Sequence, residues 1–187
     1  MIIAGIDYSM TTPACCIYDD SKGPFSFDKC EVFYLTQTKK YETRFKNVVG
    51  DFFEYKDSMD RYDIISSYFI DRILERGITQ VFIEDYSLGS KGKVFHIAEN
   101  TGVLKYRLWN FQVDVTGVPP TVIKKFATGK GNADKEKMQV AFMQDNDIDL
   151  KYELKMTEKQ WNPSSDIIDA YWICKYGYDQ LTKVETP

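Results

Sequence analysis

The sequence has one histidine, His96, and four cysteines, Cys15, Cys16, Cys30 and Cys174, that form no CxxC pair. Without a ligand cluster around that histidine, zinc is not expected. The cysteines sit in apolar surroundings and read as reduced core thiols of a cytosolic protein, so a cytoplasmic location is expected. No apolar run approaches the ~20 residues needed to span a bilayer, which removes a membrane partner from the expectations. The N-terminus shows no basic region followed by a hydrophobic one, so no secretory signal is read there. The glycine-containing basic loop from Ser87 to Lys93 lacks the GxxxxGK[ST] spacing, and no nucleotide cofactor is expected. An overall positive charge is missing too: the net charge is -4, which at first argues against a nucleic-acid partner.

What is present is an ordinary globular composition, with 187 residues, 43% hydrophobic and 28% charged. That length suits one domain over residues 1–187 with a good-sized core. The charge is unevenly spread. From Lys91 to Lys137 nine basic residues (Lys91, Lys93, Lys105, Arg107, Lys124, Lys125, Lys130, Lys135 and Lys137) face four acidic ones, Glu99, Asp114, Asp134 and Glu136. A basic stripe on an acidic body is a polyanion footprint or an ordinary solvated face.

The chain opens on Ile2-Ile3-Ala4-Gly5-Ile6, a run suited to a central strand buried on both faces, and it ends on Asp7. A buried carboxylate without a partner is costly. Asp7 is therefore either a turn residue with Ser9 or part of a site. Residues 14–19 and 31–36 read as two more strands, which together suggest an antiparallel meander. Residues 38–57 interleave aromatic and basic side chains, which can supply base stacking and phosphate contacts but read more readily as a packed excursion with a wet rim. A helix is predicted from Ser58, capped by Ser58 or Asp60 and ended by Gly77.

Residues 79–85 form a second apolar strand that ends on acid, at Glu84 and Asp85. A helix between two strands implies a parallel crossover, which would make Asp7 and Glu84 neighbours at the carboxyl edge of the sheet, where ligand sites gather. A helix over 93–110 is apolar around much of its circumference, which means deep burial or an interface. Residues 111–115 read as a fifth strand, Pro119-Pro120 as a helix start, and Asp134 as the cap of the next helix. Residues 145–160 are polar and expected to be irregular. The last helix opens at Pro163-Ser164-Ser165 and carries Asp166 and Asp169, three apart and so on one face.

Two acids on one side of an otherwise apolar helix need compensation. Basic partners, a capping role for Asp166, or a hard divalent metal each supply it. Oxygen ligands from Asp7, Glu84, Asp166 and Asp169 suit Mg2+ or Mn2+. Two such ions ~4 Å apart can clamp the attacking and leaving oxygens of a phosphodiester.

Taken together, Ile3-Ala4-Gly5-Ile6-Asp7, Val81-Phe82-Ile83-Glu84 and Asp166-Ile167-Ile168-Asp169-Ala170 resemble the RuvC family of Holliday-junction resolvases, in the RNase H-like superfamily. Pro120-Thr121-Val122-Ile123-Lys124 and the run from Gly129 to Lys135 resemble its bacteriophage branch. The resemblance extends from residue 2 to about 175. It implies an α/β RNase H-like fold, with a central five-stranded mixed sheet flanked by helices on both faces. It implies that Asp7, Glu84, Asp166 and Asp169 hold two Mg2+ ions, replaceable by Mn2+, and that Lys135 contacts phosphate near them with support from Lys124. It also implies a homodimer nicking opposing strands of a four-way junction, with the 93–110 helix near the dimer interface. Tyr86, Lys91, Lys93, Lys124, Lys125, Lys130 and Lys135 are the expected DNA contacts. Tyr86 is an approximate stand-in for the aromatic that the family places after the glutamate. Asp85 departs from the pattern by adding negative charge close to DNA. A non-catalytic DNA-binding scaffold of the same fold, and a nuclease acting on RNA–DNA hybrid, are the alternatives.

Overall fold

The structure is a computed structural model that describes residues 1–85 and 94–184. Its seven strands are β1 (Ile2–Asp7), β2 (Ala14–Asp19), β3 (Glu31–Thr36), β4 (Thr43–Phe45), β5 (Val48–Phe52), β6 (Gln80–Glu84) and β7 (Asp114–Val118). Its helices are α1 (Ser58–Glu75), α2 (Val94–Asn110), α3 (Pro120–Thr128), α4 (Lys135–Asn146), α5 (Leu150–Glu153) and α6 (Ser164–Val184). All seven strands form one mixed sheet in the order β4-β5-β3-β2-β1-β6-β7. The meander β1-β2-β3 is antiparallel as expected, and β6 joins β1 in parallel on the other side.

β1 is central, and its residues are buried on both faces. Ile3 belongs to the core beneath α6, while Ala4 and Ile6 belong to the core beneath α1 and α2. Alternation along a strand therefore assigns Asp7 to the α6 side, along with Ile3 and Gly5. On β6 the same alternation puts Phe82 beneath α6, and Val81 and Ile83 beneath the other pair of helices. The α1 face repeats at helical spacing, with Tyr62, Ile65, Phe69, Ile70 and Ile73 buried. Gly77 ends this helix in the left-handed region at φ 61°.

Two glycines set how closely α6 lies on the sheet. A Cβ on Gly5 would stand 2.6 Å from Cys174 Cα and 2.7 Å from the Ala170 carbonyl oxygen. A Cβ on Gly177 would stand 2.6 Å from Cε2 of Phe82. Backbone of α6 thus rests on backbone of β1, and the Phe82 ring of β6 fills the recess over Gly177.

Several expectations need correction. The sheet has seven strands rather than five, because residues 38–57 are not a mere excursion. They hold the hairpin β4–β5, turned at Lys46 with φ 46°, and β5 pairs in parallel with β3. The α1 cap is Asp57 rather than Ser58 or Asp60. Its side chain accepts from the Met59 and Asp60 amides, while Asp60 accepts from the Lys56 amide in return. β7 begins three residues later than expected, because Gln112 takes φ 59° and turns the chain first. Residues 145–160 are not wholly irregular: Leu150 and Leu154 are buried about the short helix α5. The four cysteines are free and buried, in line with reduced core thiols. Among the described residues no helix is long and apolar enough to cross a membrane.

Candidate active site

Three elements bring four carboxylates to one edge of the sheet. The parallel β1–β6 register sets Ile6 opposite Ile83, and one step further sets Asp7 beside Glu84. α6 crosses above with Asp166 and Asp169, held down at Gly5 a turn later. Asp7 and Asp166 are buried, and Glu84 and Asp169 are partly exposed.

The electrostatics follow from that crowding. Burial holds Asp7 well above the usual carboxylate range, and the charges of Asp166, Glu84 and Asp169 push it further. Asp169 is pushed up to about 8 by burial, then by Glu84 and Asp166, with Lys135 and Lys124 opposing. Glu84 is pushed up to about 6, mainly by burial, with Lys124 opposing and Asp166 adding. Burial raises Asp166 too, but the Thr12 hydroxyl, a hydrogen bond with Asp7 and the Lys135 charge restrain it. Asp166 also lies in the first turn of α6, where the helix dipole favours a negative charge.

A cleft of about 120 Å3 opens on this edge, lined in part by Glu84, Asp169, Lys124 and Lys135. Lys135 Nζ donates to Asn162 Oδ1 and Ser165 Oγ, each at 3.2 Å. Asp166 Oδ2 accepts from Thr12 Oγ1 at 2.5 Å and from Asn162 Nδ2 at 2.6 Å. Thr12 sits in the β1–β2 turn, which Arg61 of α1 secures by donating to the Met10 carbonyl. Neither Thr12 nor Asn162 stands out in the sequence. The available hint was position: each lies in a short polar loop next to an element that carries an acid.

Among the described residues no set of three or more His, Cys, Asp or Glu side chains is already gathered into a metal-binding group. The four acids share one electrostatic field without forming a closed cage. Their chemistry nonetheless fits a divalent cation. All the donors are hard oxygens, and burial first, then the neighbouring acids, raise Asp7 and Asp169.

The expected DNA contacts fall into groups. Lys124 and Lys135 reach the acidic cleft. Lys125 and Lys130 are exposed, and Lys130 lines a neighbouring groove with Thr128 and Lys137 instead. Tyr86, Lys91 and Lys93 lie outside the described residues. Two members of the basic stripe are paired with acids: Arg107 with Asp63 of α1 at 3.1 Å, and Lys137 with Asp134 at 2.9 Å. Asp85, expected to add negative charge near DNA, is turned to the α2 side, 3.9 Å from Lys105.

No protein-family model matches the sequence, and no curated protein matches it either. Solved structures do. Thermus thermophilus RuvC in complex with a Holliday junction substrate superposes with a TM-score of 0.64 at 14% identity, over 97% of this chain and 96% of that one. The fowlpox virus resolvase bound to Holliday junction DNA gives 0.51 at 14% identity, over 97% and 99%. The yeast mitochondrial Holliday junction resolvase gives 0.53 at 11% identity, over 97% and 83%. Sheet order, flanking helices and these superpositions agree: the chain has the fold of RuvC and of these other resolvases.

Proposed function

We propose that this protein is a Mg2+-dependent endodeoxyribonuclease that resolves Holliday junctions and other branched DNA. The observation that carries the reading is the convergence of Asp7, Glu84, Asp166 and Asp169 from β1, β6 and α6: burial raises all four, and neighbouring acids raise Asp7, Glu84 and Asp169 further. Acids held at such cost in a fold shared with resolvases, two of them solved with junction DNA, favour a cation-dependent phosphodiesterase.

The four carboxylates would hold two Mg2+ ions, or Mn2+ in their place. Bound ions of this kind supply Lewis-acid activation of water and neutralise charge on the phosphodiester. The chain's own residues do the rest. Lys135 and Lys124 face the cleft as fixed positive charges for the negative charge that builds on the phosphate. Thr12 and Asn162 hold one oxygen of Asp166 in place. Lys125 and Lys130, both exposed, are suited to phosphates further along the arms. The DNA contacts assigned to Tyr86, Lys91 and Lys93 remain part of the reading.

Paired nicks need two sites, and α2 supports a homodimer. Its inner face buries Leu104 and Leu108, while Phe95, Tyr106 and Trp109 stand 79%, 64% and 71% exposed. Phe95 and Tyr106 are about three turns apart and share a face, and Tyr106 stacks on Trp109 at 6.3 Å. Large aromatics left in water on one side of a helix are suited to a second copy of the chain.

The test is a labelled four-way junction offered with and without Mg2+, beside an RNA–DNA duplex of the same sequence. Symmetric nicking of the junction only with the ion is expected. Tight binding without nicking would make the protein a scaffold, and preferential hybrid cutting would make it a ribonuclease.

A further inference from the structure

Asn162 makes four polar contacts, and each falls on the acidic site or its support. Its Nδ2 donates to Asp166 Oδ2 at 2.6 Å and to Thr12 Oγ1 at 2.8 Å. Its Oδ1 accepts from Lys135 Nζ at 3.2 Å and from Ser165 Oγ at 3.4 Å. The network itself fixes which way the amide faces. A lysine ammonium has donors only, so the atom toward Lys135 is the oxygen, and the NH2 group is left for the carboxylate. Thr12 closes the circuit, giving its hydroxyl proton to Asp166 and accepting from Asn162.

We propose that Asn162 is a positioning residue that ties Lys135 to Asp166, so that the phosphate-facing ammonium and the cation-binding carboxylate are placed as one unit. This rests on the nuclease reading above. A primary amide is suited to the task, because it carries donors and an acceptor on opposite ends of one rigid plane. Aspartate would lose both donors and set a further negative charge against Asp166. Leucine would make neither bond, and glutamine would carry the same groups one methylene too far.

The loop that presents Asn162 is anchored on both sides. Gln160 Oε1 accepts from the Tyr41 hydroxyl at 2.6 Å, which fastens the loop to the turn between β3 and β4. Lys151 of α5 places its ammonium 3.5 Å from the centre of the Trp161 ring. The amide is thus held from the protein side, and not only by the groups it orients.

The experiment is a double-mutant cycle on the full chain with two readouts: single-turnover nicking of a labelled four-way junction, and Mn2+ affinity of the DNA-free protein by calorimetry. N162A is expected to slow nicking and weaken Mn2+ binding by about 10–100-fold, the usual consequence of removing a group that orients a metal ligand, while junction affinity stays near the wild-type value. In a K135A background the same substitution is expected to cost far less in nicking rate, because the lysine it places is gone. Equal losses in both backgrounds, or wild-type Mn2+ affinity in N162A, would overturn the proposal. If N162A does not melt as a folded protein, N162S takes its place. Its hydroxyl can bond one neighbour but cannot span both, so the same non-additivity is expected. If the wild type binds Mn2+ but cuts no junction, the nuclease reading fails, and the Mn2+ titrations still decide Asn162: weaker binding in N162A keeps its positioning role and unchanged binding ends it.

Discussion

Glu84 and Asp85 are consecutive in the chain, yet they serve opposite faces of the sheet. Glu84 lines the cleft with Lys124 and Asp169, whereas Asp85 lies 3.9 Å from Lys105 of α2 and against Gly117 of β7. The period-two alternation of a strand is the whole cause. Glu84→Gln is therefore expected to lower the nicking rate by about 100-fold or more, as for loss of a charged group at a reacting centre. Asp85→Asn is expected to leave the rate close to wild type. Comparable losses from both substitutions would show that the two side chains share one site.

Metal-free protein is expected to lose stability as pH rises. Asp169 is pushed up to about 8 and Glu84 to about 6, whereas both titrate near ~4 in an unfolded chain. Between those limits the folded chain holds more protons than the unfolded one, so the slope of stability against pH is negative. Melting temperatures in chelator should fall from pH 5 to pH 8. Millimolar Mg2+ should remove most of that fall by binding the folded state alone. A melting temperature that climbs across this range would mean the acids are already well compensated.

Asp7→Asn is expected to abolish nicking while junction binding survives. It should also raise the stability of the metal-free chain at neutral pH by roughly 0.5–2 kcal/mol, because it relieves repulsion in a functional cluster. Chemical denaturation checks the second part. A destabilised Asp7→Asn would mean that Asp7 is held by favourable bonds rather than against its neighbours.

Lys135→Ala is expected to lower the rate more than the affinity, through loss of electrostatic stabilisation worth ~2–4 kcal/mol. Binding as a whole should weaken steeply with salt if several lysines meet phosphates. A pure affinity loss in Lys135→Ala would make the residue a phosphate anchor. A flat salt response would remove the exposed Lys125 and Lys130 from the DNA footprint.

Trp109→Glu is expected to convert a dimer to a monomer in sedimentation, and to replace paired nicks with single ones. Its effect on the melting temperature should be small, since Trp109 is 71% exposed. A wild-type chain that sediments as a monomer with or without DNA would leave the aromatic face of α2 without its proposed partner.

The acids were legible in the sequence because each interrupts an apolar pattern. Asp7 and Glu84 stop two core strands, and Asp166 and Asp169 break the apolar face of a buried helix. Their convergence was legible too, since strand–helix–strand order fixes which ends meet. The β4–β5 hairpin was not. β5 pairs with β3 across the intervening β4 as well as with its hairpin partner, and short strands with one turn residue at positive φ leave a weak pattern. β7 slipped for a similar reason: half-exposed Phe111 reads as a strand residue, but the chain turns at Gln112 before pairing begins. Thr12 and Asn162 were invisible because polar loop residues acquire their roles only from what folding sets opposite them.

The close seat of α6 at Gly5 bears on how this protein can vary. Ala170 and Cys174 meet β1 with no side chain between the two backbones, so nothing there can be lengthened or trimmed to re-space Asp7 from Asp169. The gauge of the acidic cluster is a fixed dimension of the scaffold. Diversity in what the proposed nuclease cuts, or where, has to arise at the rim, among loops that can be rebuilt without touching that contact.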